Sequence, residues 1–474
     1  MIDHPYERNW RMPSDDERRL LETTGGRNGS SRSRRPGQVT GLRGSGSRWR
    51  PLANRRPNVL VVGASGHVAQ AFLLRLQARR DEFERLVLLD QTDRVVEDAF
   101  LDHERLDYLF LQRRLCLPQD TRWFHELLAR HQIDIVLDLT DLDTLPILEA
   151  TDAAGVSYVN TALNDARRGV GEIVSLLHPI REEKRNAAHI ISSGMNPGVV
   201  NIWVWHCFKQ YGAPREIIHF EYDTSMPVTG WRPMITWSRQ EFLTETLYEP
   251  TGLVLDGKLK MFETNSFVNR QDMRAVMEPV LALERYPSGL LVLHEENVKL
   301  GQKLGASSKY LYAVHPRTMD YLDRLWKEQG RVEIGDLELG DNTTTPLTGS
   351  DTIGVCLKYP EKRVYYLHSL DNSEVTGTNA TCAQVSVGVD AALTTLLRER
   401  LSPRLYFASD LYDTVYTRAV FSSLRVERFE MAGKRRSAGV VSSKWRCRNE
   451  IRTEEQSIAG QCGREFPQDA RAGA

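Results

Sequence analysis

The sequence predicts an α/β protein: a Rossmann-type doubly wound parallel sheet, followed by a second α+β domain with a mostly antiparallel sheet. Three observations predict it. Short, unbroken apolar runs alternate with amphipathic helical stretches over residues 58–200, the pattern of strands covered on both faces by crossover helices. The first run leads directly into a glycine turn, and the next one ends on an acid. After Val200 the alternation stops, and strand-like segments are joined by long polar connections. The expected organisation is a disordered extension over 1–57, a nucleotide domain over 58–200 and a substrate domain over 201–376. A returning segment follows over 377–426, and a disordered tail over 427–474.

The extension is rich in Arg, Gly and Ser, as in Arg32-Ser33-Arg34-Arg35-Pro36-Gly37, and has no apolar period with which to bury a core. A basic arm for nucleic acid is the competing reading, but no aromatic residues interleave the tract for stacking. The acids Asp15, Asp16 and Glu17 argue against a mitochondrial presequence.

Val59-Leu60-Val61-Val62 reads as a buried parallel strand, residues 70–80 as a helix, and Leu86-Val87-Leu88-Leu89 as a second strand ending on Asp90. Between the first strand and the helix lies Gly63-Ala64-Ser65-Gly66-His67-Val68-Ala69, which completes a βαβ dinucleotide fingerprint. Gly63 permits the tight turn. Gly66 lets the backbone approach a pyrophosphate at the helix N-terminus, and Ser65, His67 and Val68 surround it. Asp90 is placed to accept hydrogen bonds from ribose hydroxyls and to repel a 2′-phosphate, so NAD is expected over NADP. Helices follow over 121–131, 144–154 and 173–188, and strands over 133–139, 156–160 and 189–191. Ligands bind beyond the carboxyl ends of such strands. Two further ends carry polar groups there: Asp138-Leu139-Thr140-Asp141, and the run from Ser192 to Gly198 that contains Asn196 and Pro197. Thr140, Asn196 and Pro197 should therefore face the nicotinamide and the substrate.

In the second domain, residues 216–222, 290–294, 355–359 and 364–370 read as strands, and 237–248 and 316–329 as helices. Residues 379–398 are apolar at helical spacing and should return to the nucleotide domain. The tail after residue 427, with Lys434-Arg435-Arg436, has little hydrophobic period.

Of the 474 residues, 41% are hydrophobic and 26% charged, with formal net charge -1. That balance supplies no global positive field to gather phosphates, so nucleic acid is not the expected partner. The cysteines at 116, 207, 356, 382, 447 and 462 are scattered, with no CxxC and no zinc spacing, and read as reduced thiols with no metal. No apolar run approaches the length of a membrane span, and no signal-peptide core is visible, so a cytoplasmic protein without membrane contact is expected. A homodimer is the expected assembly, although no sequence signal fixes it.

Gly194-Met195-Asn196-Pro197-Gly198-Val199-Val200 resembles a loop of saccharopine-dehydrogenase-like oxidoreductases. Further segments resemble the bacterial homospermidine synthases: Glu221-Tyr222-Asp223-Thr224, Thr236-Trp237-Ser238 through Phe242 and Glu245, Leu293-His294-Glu295-Glu296, Tyr312-Ala313-Val314-His315-Pro316, Asp351-Thr352-Ile353-Gly354-Val355 and Asn379-Ala380-Thr381. They occur in order over about residues 58–400. The resemblance implies NAD-dependent aminobutyl transfer between diamines, putrescine giving sym-homospermidine and ammonia, through imines and an internally recycled NADH. It implies catalytic roles for Trp237, Glu221, Glu245 and His294, and substrate contacts from Asp223, Asp141 and Asn196.

These residue types suit a dicationic diamine or polyamine substrate. Glu221 and Asp223 lie at i and i+2, on one face of a strand. Trp237 offers a π-face worth ~2 kcal/mol or more to a desolvated cation. His294 can move protons between neutral and charged amines. Each residue also has a bland reading: Trp237 as a core anchor, Glu245 as an exposed helix charge, His294 as a core histidine at a strand end. Glu295-Glu296-Asn297 should make the pocket rim more acidic than is usual in the family, and the connection before Trp237 looks short. Two other classes compete. A reductase of the saccharopine or carboxynorspermidine type would need arginines for carboxylates, with Arg232 and Arg239 as candidates. A non-catalytic NAD-binding protein would keep the nucleotide turn and lose the pocket.

Overall fold

The computed structural model describes residues 55–432; the expected disorder before residue 55 and after residue 432 lies outside the described residues. The chain begins with β1 (Asn58–Val62), α1 (His67–Gln77), β2 (Arg85–Asp90) and β3 (Tyr108–Gln112). It continues through α2 (Thr121–Arg130), β4 (Ile135–Asp138), α3 (Thr144–Ala153), β5 (Ser157–Asn160), α4 (Val170–Ile180), β6 (His189–Ile191) and α5 (Val199–Tyr211). All six strands pair in parallel. The apolar runs that predicted β1, β2 and β4 are buried because helices cover both faces of the sheet.

The second domain opens with β7 (Glu216–Asp223), then a short helix α6 (Arg239–Leu243) that widens into a π-helical turn over Thr244–Tyr248. Strands β8 (Pro250–Leu255), β9 (Lys258–Asn265) and β10 (Ser288–Val292) follow, then α7 (Glu295–Leu304), β11 (Ser307–Ala313), α8 (Pro316–Gln329), β12 (Ser350–Lys358) and β13 (Lys362–Asp371). The sheet order is β9-β8-β11-β7-β12-β13, with β10 also paired to β11. Only the β7–β11 pair is parallel among these.

The chain then re-enters the nucleotide domain. Helix α9 (Ala380–Arg398) lies against α1, where Arg75 donates to the Ser386 hydroxyl at 2.8 Å and Arg79 pairs with Asp390 and with Thr394. By length and composition α9 is apolar enough to cross a membrane, contrary to the expectation that no apolar run reaches that length; 78% of its apolar window is buried inside the protein. Beyond it, β14 (Leu405–Phe407) adds a seventh parallel strand beside β6, giving the order β14-β6-β5-β4-β1-β2-β3. After α10 (Val415–Ser423), strand β15 (Glu427–Ala432) pairs with the edge of β13. The expected disorder is therefore wrong for residues 427–432. Phe429 and Met431 pack on the second core, while Glu430 accepts from Tyr211 and Lys362, so an alternation of period two is present but short.

Candidate active site

The glycine turn is shaped for a dinucleotide. Gly63 has φ +81°, and a Cβ there would lie 2.6 Å from Thr140 Cγ2 and 2.8 Å from the Leu139 carbonyl oxygen. No side chain caps α1, whose first backbone bond runs from Gln70 N to Gly66 O at 2.9 Å. The N–H groups of its first turn are thus left for an anion, at the positive end of the helix. Asp90 closes the turn: one carboxylate oxygen accepts from Ser65 N at 3.0 Å, the other from Thr92 N at 2.8 Å and Thr92 Oγ1 at 3.0 Å. The Ser65 hydroxyl is engaged with the Thr92 carbonyl. His67 reaches away to the second domain, its Nε2 3.1 Å from Asp341 Oδ2. The Gly63 turn and the open N–H groups of α1 fit a pyrophosphate, and Asp90 an adenosine ribose, while the side chains of Ser65 and His67, expected there, are engaged elsewhere.

A cavity of about 160 Å³ opens between the two domains, beyond the carboxyl ends of β4 and β6. It brings together Val68, Thr140, Asp141, Asn196 and Pro197 from the first domain with Glu221, Trp237, Glu245 and His294 from the second. Asp223 does not line it. Its carboxylate is buried behind, accepting from Ser225 N at 2.8 Å and Thr236 Oγ1 at 2.6 Å. Sequence reasoning missed Tyr310, Tyr312, Ser238, Glu241 and Thr381, all of which face the cavity. The i, i+2 spacing of the two tyrosines, which puts both on one face of β11, was the available signal; Tyr312 pairs in register with Glu221 and Tyr310 with His219.

The loop after β6 is forced into place by Gly198, at φ +130°, where a Cβ would lie 2.2 Å from the Gly194 oxygen. That close turn directs Asn196 toward Glu221. Tyr310 donates to Glu221 Oε2 at 2.6 Å, Asn196 Nδ2 donates to the same oxygen, and Asn196 also reaches Tyr310 Oη at 2.7 Å. Trp237 belongs to the core of the second domain and also lines the cavity. It packs edge-on to Phe242 and donates to Tyr312 Oη at 3.0 Å. Glu245 is not an exposed helix charge, because the π-helical turn swings it toward His294, with Oε1 3.5 Å from Nε2. At the mouth, Ser238 donates to Asp141 at 2.8 Å and so bridges the domains.

Burial dominates the electrostatics. It holds the Glu221 carboxyl well above the usual range against the bonds from Tyr310 and Asn196, and neighbouring Asp223 adds to the effect. Asp223 and Asp351 are raised by burial too. His294 is raised as well, but by its neighbours: burial opposes its charge, while Glu296 and Glu245 lift its pKa well above the ordinary value. Glu295 and Glu296 are not rim acids as expected. Both are buried, Glu296 behind His294 and Glu295 with Oε1 lacking a hydrogen-bond partner. Among the described residues no lysine or arginine lines the cavity. Arg232 pairs with Glu338 at the surface, and Arg239 donates to the Leu337 carbonyl.

Residues 59–189 match the family described as the saccharopine dehydrogenase NADP-binding domain. The crystal structure of the homospermidine synthase of Legionella pneumophila in complex with NAD is similar over 82% of this chain and 94% of that chain, with TM-score 0.64 and 15% identity. An amine dehydrogenase from Mycobacterium smegmatis covers 75% of this chain and 96% of its own, at TM-score 0.35 and 10% identity, too distant to bear on the site. No curated protein sequence matches the chain. The chain therefore carries an NAD(P)-binding domain of saccharopine dehydrogenase-like fold, within a two-domain architecture that resembles a homospermidine synthase.

Proposed function

We propose that this protein is an enzyme that transfers an aminobutyl group between diamines, forming sym-homospermidine and ammonia from putrescine with bound NAD. One observation carries the reading: the cavity is lined by four carboxylates (Asp141, Glu221, Glu241, Glu245) and the face of Trp237, with no guanidinium or ammonium among the described residues. Such a surface selects a dication and rejects the carboxylate-bearing substrates of a saccharopine-type reductase. The preference for NAD rests on Asp90, which ends β2 beside the glycine turn and whose negative charge would repel a 2′-phosphate brought there.

Bound NAD would accept a hydride from the carbon beside one amine and return it after a second amine has displaced ammonia. The protein's own residues do the rest. The acids of the mouth and Glu221 at the floor give a diamine one partner at each end. Glu221, with its raised pKa, is suited to take the proton of an amine that must react in its neutral form. Trp237 steadies the cationic imine on its π-face, and the surrounding tyrosines keep water from hydrolysing it.

The test is to incubate purified protein with NAD+ and putrescine, following NADH absorbance and identifying the amines by mass spectrometry. The expected result is sym-homospermidine with ammonia released and no accumulation of NADH. Stoichiometric NADH would instead mark a simple dehydrogenase. Turnover of a keto acid with lysine and NADH would mark a saccharopine-type enzyme.

A further inference from the structure

His294 is gripped from both sides. Nδ1 lies 2.9 Å from one oxygen of Glu296 and 3.2 Å from the other, while Nε2 faces Glu245 at 3.5 Å. The two carboxylates differ in kind. Glu245 lines the cavity, where a substrate amine can compete for it. Glu296 lies behind the ring, with its side chain 0% exposed, and no ligand can reach it. A buried carboxylate is stable only beside a cation or strong donors. The other ring near it, His219 of β7, is buried with neither nitrogen hydrogen-bonded, and burial lowers its pKa to about 4, so it stays neutral. His294 is thus the cation that Glu296 requires. The local backbone reinforces the geometry, because Asn297 Oδ1 accepts from His294 N at 2.8 Å and fixes the residue at the start of α7.

We infer that Glu296 is a positioning residue: it holds the His294 ring with Nε2–H turned to the cavity, which makes His294 the acid that hands a proton to the departing ammonia. The inference rests on the transfer reading above and divides its proton traffic. The attacking nitrogen loses a proton to Glu221. The bond from carbon to the leaving nitrogen breaks, its electron pair stays with nitrogen, and the proton from Nε2 completes ammonia. Solvent exchange then restores both groups, so the protons balance within each turnover. The ionisable groups facing His294 are Glu245 from the π-helical turn, Glu221 and His219 from β7, Tyr310 from β11, and Glu295 and Glu296 from α7. Tyr310 is held protonated by burial and by Glu221, so it donates to that carboxylate and adds no charge.

The experiment combines nitrogen-15 NMR of the imidazole with a pH profile, on the full-length protein and on Glu296→Gln. In the parent, both nitrogens of His294 should stay protonated through neutral pH. In Glu296→Gln the ring should titrate near its ordinary value of ~6.5. Relative to the parent at the same pH, turnover by the variant should then fall at least tenfold at pH 8 and recover as pH drops toward 6, a relative recovery that a merely structural lesion would not show. A parent ring that titrates near the ordinary value overturns the inference, as does a variant whose ring and pH profile match the parent. If Glu296→Gln does not fold, the parent titration decides alone. If the ring behaves as expected but no diamine turns over, the ion pair stands and the transfer reading fails, so the two are separable.

Discussion

At the residue scale, Trp237 and Asp90 make the sharpest demands. Trp237 is held by Tyr312 and Phe242 so that one surface serves the core and another the cavity. Trp237→Phe keeps a smaller π-face and should retain part of the rate. Trp237→Ala forfeits a cation–π contact of ~2 kcal/mol, so kcat should drop roughly 30-fold or more. Calorimetry should find NAD binding unchanged in both, because the residue belongs to the second domain. Asp90 should set the nucleotide preference: NAD+ should bind about tenfold or more tighter than NADP+, and Asp90→Ser should narrow that gap. Equal affinities in the parent would remove the assignment. Asp141, Glu221, Glu245, Trp237 and His294 of the cavity were legible in the sequence as site residues, whereas Glu241 was not. Nor was the depth of Glu295 and Glu296. Charged residues lie outside by default, and the neighbour that justifies a buried Glu296 is the preceding histidine itself, which a rule about surface charge does not weigh.

At the element scale, α7 begins with three polar residues sunk in the protein, Glu295, Glu296 and Asn297. Burial pushes the Glu295 carboxyl up to about 8, against the pull of Ser192, His294 and Lys299. The folded chain therefore keeps a proton that the unfolded chain releases above ~4.3. Between those values stability must decline as pH rises, the reverse of the usual salt-bridged carboxylate. Glu295→Gln has no such proton. It should match the parent near pH 4 and exceed it by on the order of 3–4 kcal/mol at pH 7, as read by denaturant unfolding at the two values. Elements with a strong period were readable from the chain: α8 spans the expected residues, and β6 likewise. Of those missed, β9, β11 and α7 are seven to ten residues long, while others are too short or too exposed for a period to register. β14 is three residues, β3 is an edge strand with two of its five side chains exposed and none fully buried, and the expected helix after Trp237 divides into an α-helical and a π-helical turn.

At the scale of the whole molecule, the two sheets share one continuous core in which α9 touches both. Removing the Arg79–Asp390 pair and the Arg75–Ser386 bond together, by Arg79→Ala with Arg75→Ala, should loosen α9 on α1. Half-buried pairs of this kind are worth ~1–3 kcal/mol each. The double variant should therefore unfold at lower denaturant and weaken NAD binding, though neither arginine lines the cavity. The sequence announced the return of this helix by its apolar period, but the joining of β14 to β6 is a long-range pairing that local patterns do not encode.

That pairing reverses the expected order of assembly during synthesis. The ribosome releases β1 to β6 first, yet the outer flank of β6 and the exposed face of α1 wait for residues 380–407, after the whole second domain has emerged. The nucleotide domain, first to be translated, is thus among the last parts to be completed. A nascent chain stalled before residue 380 displays an unpaired strand edge and an apolar helix face, which are templates for aggregation. Premature termination in this gene would yield no free-standing nucleotide-binding fragment, but a sticky intermediate that cellular quality control must clear.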